Sequence, residues 1–158
     1  PIYTFYAAYN GITATLGEDG KDRIQLVHTD PANPLPTEES KAYVRAYKAA
    51  HPNFDPSLPR LLNALAMVVE AIEKSQSTHP YDIALALEDM RFTTINGDEV
   101  WMRSDDHQAF QPLYISIHTD DGVEFDADNS GYGLVTRHRV SGKDTVLEST
   151  CRMKRPRR

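Results

Sequence analysis

The chain has 158 residues and a formal net charge of −6, with 40% hydrophobic and 25% charged residues. That length suits one ordinary domain able to bury a core without staples, and the balance is globular rather than disordered. The acidic surplus argues against nucleic acid as a partner, because neutralising phosphates takes Lys and Arg. No apolar run approaches the roughly 20 residues needed to span a bilayer.

Residues 1–6 open with Ile2, Tyr3, Thr4, Phe5 and Tyr6, a β-branched and aromatic run that reads as a core strand. The chain starts at Pro1, in mid-strand and with no signal peptide before it, and so reads as cut from something longer. A loop, Ala7-Ala8-Tyr9-Asn10-Gly11, leads into a short helix over 13–16 that Gly17 or Gly20 ends. Residues 24–28 read as a second strand. Strand, helix and strand in that order predict a βαβ unit with a parallel pair. Three prolines mark 30–36 as a loop. A helix over 38–50 carries Tyr43, Val44, Tyr47 and Ala50 on one stripe.

After a second proline-rich loop at 51–59, Leu61, Leu65, Val68, Val69 and Ile72 recur at helical spacing and predict a buried face, with Pro59 near its start. Thr78-His79-Pro80 opens a third helix, capped by Thr78 or His79 and lined inside by Ile83, Leu87 and Met90. From Arg91 the character turns β. Residues 92–95 and 99–102 flank Asn96-Gly97 as a hairpin. Leu113, Ile115 and Ile117 alternate with Tyr114, Ser116 and His118, a half-buried strand. Asp120-Asp121-Gly122 is a turn, and 132–140 reads as a last strand.

Several clusters invite chemistry. Asp105-Asp106-His107 could bind metal or work as acid and base. Consecutive side chains diverge, however, so a turn and capping role is the plainer reading. Asp126, Asp128, Ser130 and Gly131 imitate the start of a calcium loop, but Arg137 stands where the closing Glu belongs, which leaves a polar surface turn. Cys151 is the one cysteine and has no internal disulfide partner. The basic tail, five basic residues among the last seven, reads as a solvated terminus. There is no Gly-rich phosphate loop, no Gly-x-Ser-x-Gly elbow and no Cys-x-x-Cys, so nothing compels an enzymatic reading, and no cofactor is expected. Residues 6–10 follow a strand at the carboxyl end of a parallel pair, where open α/β sheets hold ligands. Tyr6 and Tyr9 offer apolar faces with polar tips, and Ala7 and Ala8 leave room beside Asn10.

Residues 101–115, Trp101-Met-Arg-Ser-Asp-Asp-His107 through Gln111-Pro-Leu-Tyr-Ile115, resemble a stretch near the end of branched-chain-amino-acid-type solute-binding proteins of ABC transporters. The helix from Leu62-Asn-Ala-Leu65 to Ala71-Ile-Glu-Lys74 and the following Ser77-Thr-His-Pro80 resemble that family too. So do Gly131-Tyr-Gly133 and the ending from Asp144-Thr-Val-Leu147 to Thr150-Cys-Arg-Met153. The likeness runs in order over nearly the whole chain. It implies an α/β, type I periplasmic-binding fold: two αβα lobes joined by three crossing strands, with solute in the cleft.

On that resemblance this is a C-terminal portion carrying parts of both lobes. Residues 1–36 would end the second lobe's sheet, 37–90 would supply helices partly of the first lobe, and 91–158 a β-rich crossover and second-lobe end. The resemblance implies no catalysis. It makes Tyr6, Ala7, Ala8, Tyr9 and Asn10 the ligand-binding loop. Members of the family often grip an amino group there with an acid, and this loop has none, which suits an aromatic acid, amide or urea-like solute as well as an amino acid. Expected partners are that small solute, the missing N-terminal part of the same protein and an ABC permease. The Leu61 face would have lost its cover, which allows an intertwined homodimer. The expected location is periplasmic, or extracellular and lipid-anchored in a Gram-positive host. Two alternatives stand beside this: a ligand-sensing regulatory module of the same fold, and a small metal-dependent enzyme using Asp105, Asp106 and His107.

Overall fold

In the computed structural model, which describes residues 1–5, 11–54 and 59–155, the βαβ unit forms as the pattern demands. Strand β1 (Ile2–Thr4) and β2 (Ile24–His28) pair in parallel, Ile2 opposite Ile24 and Thr4 opposite Leu26. Helix α1 (Ile12–Gly20) joins them, and both candidate terminators act: Gly17 kinks the helix at φ 44° and ψ −140°, and Gly20 is its last residue. A positive φ of that kind suits glycine, which has no Cβ to clash. Gly20 is also crowded, since a Cβ there would stand 2.8 Å from Leu16 Cβ and 3.1 Å from the His118 ring.

Helix α2 (Glu38–Ala50) starts in a capping box between Thr37 and Ser40, with Glu38 and Glu39 in its first turn favouring the positive helix end. Helix α3 (Pro59–Ser75) and α4 (Pro80–Leu87) follow. His79 caps α4 by accepting from Tyr81 N at 3.3 Å, and Pro80 fits the first turn, where no N–H is needed. The hairpin of β3 (Arg91–Thr93) and β4 (Glu99–Met102) closes through Gly97 at φ 77°. A short β5 (Ala109–Phe110), which the pattern does not announce, extends it to a three-stranded sheet. Strand β6 (Leu113–Thr119) then enters the first sheet beside β2, and β7 (Gly133–Val140) pairs with β6, giving the order β1-β2-β6-β7. A 3₁₀ turn, Gly142–Thr145, follows.

Among the described residues, much of the apolar interior gathers in two separate clusters. One joins Met67 and Ala71 of α3, Ala86 of α4, Met90 just before β3, and Val100 of β4, with Ile83, Leu87, Phe92 and Met102 packed on it. The other joins Leu26 of β2 and Leu134 of β7, with Ile12, Ile24 and Ala32 against them.

Three expectations change. The α3 face meant for burial is outside: Leu61 is 54%, Leu65 66% and Val69 54% exposed, and Val68 is exposed as well. The buried line is Asn63, Met67 and Ala71, because that side meets α4 and the small sheet. Strand β1 is no core strand among the described residues; it is a sheet edge, with Ile2, Tyr3 and Phe5 exposed. On β6 the polar row is the more deeply buried one: Tyr114, Ser116 and His118 are buried, and Leu113, Ile115 and Ile117 on the other face only partly so. Hydrogen bonds make this possible, since a buried polar group costs little once partnered. Ser116 Oγ meets His28 Nε2 at 2.9 Å and Thr136 Oγ1 at 3.2 Å, and His118 Nε2 meets the Gly17 carbonyl at 2.8 Å. The basic tail is exposed at Arg152, Lys154 and Arg155, as expected, and Arg155 is also tethered: its guanidinium donates to Glu88 and to the Ser104 carbonyl at 3.1 Å.

Candidate functional site

Parallel pairing puts the carboxyl ends of β1 and β2 on one edge of the sheet, and the chain leaves β1 there toward residue 6. Tyr6, Ala7, Ala8, Tyr9 and Asn10 lie outside the described residues. What flanks them is well defined. Gly11 is the N-cap of α1, at φ 76° and without a side chain of its own to cap the helix. The distant Asp128 does that work. Its Oδ1 accepts from Gly11 N at 2.9 Å, and its Oδ2 from Thr13 Oγ1 at 2.6 Å and Ala14 N at 3.2 Å. A carboxylate suits the positive end of a helix. Burial alone would raise the Asp128 pKa, but the bonds from Thr13, Gly11 and Ala14 together carry it below the usual carboxylate value. The calcium-like segment is thus a brace. Asp126 turns the loop by accepting from Asp128 N at 3.2 Å and Gly131 N at 2.7 Å, and Asp128 fixes the helix that follows the candidate loop.

Across the same edge, register aligns His28 with Tyr114 and Tyr114 with Arg139. There the β3–β4 loop meets the sheet. Asp98, buried on that loop, accepts from the Tyr114 hydroxyl and from Arg139 Nη2 at 2.9 Å. Burial first, then the Asp98 carboxylate beside it, pushes the Tyr114 phenol up to about 12. Asn96 Nδ2 donates to Asp30 Oδ1 at 3.2 Å, and Thr37 Oγ1 to the Ile95 carbonyl. Sequence reasoning missed Asp98 and Arg139, because their meeting needs three separated segments. The signal at hand was an acid beside the Asn96-Gly97 turn and a cation near the end of the last strand.

The Asp105-Asp106-His107 cluster is a turn. Asp106 binds the Arg103 guanidinium with both oxygens, one at 3.0 Å, and that cation holds its carboxyl far below the usual range. His107 points elsewhere, with Nε2 3.0 Å from Glu88 Oε1. Among the described residues no three His, Cys, Asp or Glu side chains gather to hold a metal. A groove of about 500 Å³ runs between α4 and the tail, lined by Tyr81, Leu85, His107 and Met153 among others, away from the edge just described. Cys151 is free and exposed.

The family model described as "periplasmic binding protein" matches residues 2–122. A leucine-, isoleucine-, valine-, threonine- and alanine-binding protein from Brucella ovis, solved in a closed conformation, superposes with a TM-score of 0.82 at 24% identity over 98% of this chain. A branched-chain amino acid transporter protein from Rhodopseudomonas palustris gives 0.64 at 18% identity over 89% of the chain. A solute-binding protein from the same species, solved with 3,4-dihydroxybenzoic acid, gives 0.66 at 14% over 85%. At these identities the likeness is one of fold, the type I periplasmic-binding fold. The chain spans 40%, 36% and 35% of the lengths of these three neighbours. No curated protein sequence matches it.

Proposed function

The chain belongs to the periplasmic binding protein family, and from that premise we propose that it is the C-terminal part of a two-lobed solute-binding component of an ABC importer. Ligand binding favours the shut state, and the shut state docks on the permease. The observation that carries this reading is that, among the described residues, the α3–α4–hairpin cluster and the β2–β7 cluster are separate, while the β3–β4 loop meets the four-stranded sheet through hydrogen bonds. Parts of two lobes have that form, since lobes that move against each other keep separate cores.

The proposed layout is residues 1–36 in the second lobe's sheet, 37–90 partly in the first lobe, and 91–158 as crossover and second-lobe end. In this layout the remainder of a longer protein covers the exposed α3 face and adds to the β1 edge. Each large side chain on that face is worth roughly 1.5–3 kcal/mol when buried. The solute is a small amino acid, amide or aromatic acid held by Tyr6, Ala7, Ala8, Tyr9 and Asn10. The neighbour solved with a dihydroxybenzoic acid and the absence of a carboxylate from the loop both favour including aromatic acids. The expected location is the periplasm, or the outer surface of a Gram-positive cell. Among the described residues no helix is long and apolar enough to cross a membrane.

The test is a thermal-shift screen of the complete protein against amino acids, ureas, amides and aromatic acids, followed by calorimetry on any hit. A true solute at about 100 times its Kd should add close to 2.7 kcal/mol of stability. Tyr9→Ala should weaken that binding about tenfold or more. A screen with no shift in any of the four classes overturns the reading.

A further inference from the structure

We propose that Asp98 is a positioning residue which, through Tyr114 and Arg139, sets how readily the two apolar groups of this chain swing against each other, and so how tightly solute is held. The inference rests on the two-lobed reading.

Four observations carry it. First, the two apolar clusters share no residue, and the β3–β4 loop meets the sheet through directional polar bonds. Asp98 takes the Tyr114 hydroxyl and Arg139 Nη2, Asn96 takes Asp30, and Thr37 takes the Ile95 carbonyl. Such bonds are directional, and the Arg139 guanidinium, half-exposed at this joint, is the partner that can exchange with water at small net cost, whereas the buried Asp98 must keep an acceptor role to be stable.

Second, the cluster is asymmetric. The Asp98 side chain is nearly covered, at 11% exposure, while that of Arg139 is 49% exposed. The guanidinium has a path to water while the phenol still covers the carboxylate, so release of the joint would begin at Arg139. Third, the loop is stiff around its acid. Thr94 Oγ1 accepts from Asn96 N at 3.3 Å and Asp98 N at 3.2 Å, and Thr94 N donates to the Asp98 carbonyl at 2.8 Å. A displacement of the hairpin is therefore passed to Asp98 rather than absorbed in the loop.

Fourth, the chain crosses from one group to the other nearby. Residues Gln111 and Pro112 link β5 to β6, and Gly142 packs so closely on them that a Cβ would lie 3.1 Å from the Gln111 carbonyl carbon. The row His28–Tyr114–Arg139 meanwhile runs across the carboxyl edge toward which β1 delivers residue 6. The joint thus lies beside the crossover, on the sheet edge where β1 ends.

The experiment uses the complete protein with a donor and an acceptor dye, one on each lobe. Single-molecule energy transfer measures the closed fraction with and without solute, and stopped-flow fluorescence measures association and dissociation rates. Asp98→Asn keeps the size but removes the charge that Arg139 needs. Arg139→Met removes the half-exposed partner and keeps the test alive if the buried variant fails to fold. Both should change the closed fraction of the solute-free protein and move Kd about fivefold or more, within the usual span of couplings between sites. Arg139→Lys should restore most of the wild-type behaviour.

Unchanged closed fraction and rates in Arg139→Met overturn the inference. So does a lower melting temperature with no change in either, which marks a purely structural role. If the wild-type protein itself shows no solute-induced closure, the two-lobed reading fails instead.

Discussion

The helix α3 and the strand β6 misread in opposite directions, and for one reason. On α3 the large apolar side chains Leu61, Leu65 and Val69 stand in water while the slighter line of Asn63, Met67 and Ala71 is buried. On β6 the apolar row is half-covered and the polar row Tyr114, Ser116 and His118 is buried. Hydrophobic spacing says that a face is made to be covered. It does not say by which element, nor whether a hydrogen-bonded polar face has been given the deeper place.

The sharpest way to break the comparison is a pair of matched truncations in this 158-residue chain. Leu26 has no exposed surface and sits among β7 and α1 side chains. Leu26→Ala should cost about 2–5 kcal/mol in urea unfolding, the usual range for an interior leucine. Leu65→Ala should cost less than about 0.5 kcal/mol, because the side chain is 66% exposed. The same Leu65 change in the complete protein should cost several times more if the face is covered there. Equal losses at Leu65 and Leu26 in the short chain would show that α3 already has a partner, a second copy being the first candidate.

A smaller effect tests the brace behind the solute loop. Asp128→Ala leaves Gly11 N, Ala14 N and the Thr13 hydroxyl without their acceptor. The expected loss is about 1–3 kcal/mol, with faster amide exchange confined to the first turn of α1. Asp128→Asn should recover part of it, through the one carbonyl oxygen that remains.

The smallest effect is a slope. Glu88, Asp106, Asp120 and Asp128 are all held below their ordinary pKa values, by His107 and Arg155, by Arg103, by Lys21 and by the α1 end, respectively. A depressed carboxylate pKa stabilises the fold above the unfolded value, near 4, and that gain fades as pH falls through the folded one. The melting temperature should therefore be level from about pH 7 to 5 and fall below about pH 4. Asp106→Asn should make that fall shallower while lowering the plateau. An equal slope in both proteins would place the acid sensitivity elsewhere.

The sequence by itself determined what local chemistry can determine. The βαβ start is legible from Ile2 to His28, the α2 span from its Tyr43-Val44-Tyr47 stripe, the α4 start from His79-Pro80, and the hairpin from Asn96-Gly97. Each rests on neighbours within a few residues, where backbone preference and short-range hydrogen bonds act. The ordered family likeness was legible for the same reason. Only the tertiary structure decided that Asp128 caps a helix 115 residues away from it in sequence, that Asp98 gathers Tyr114 and Arg139, and which side of α3 is covered. Those outcomes depend on segments brought together by the whole packing, and a carboxylate carries no mark of which distant donor it will meet.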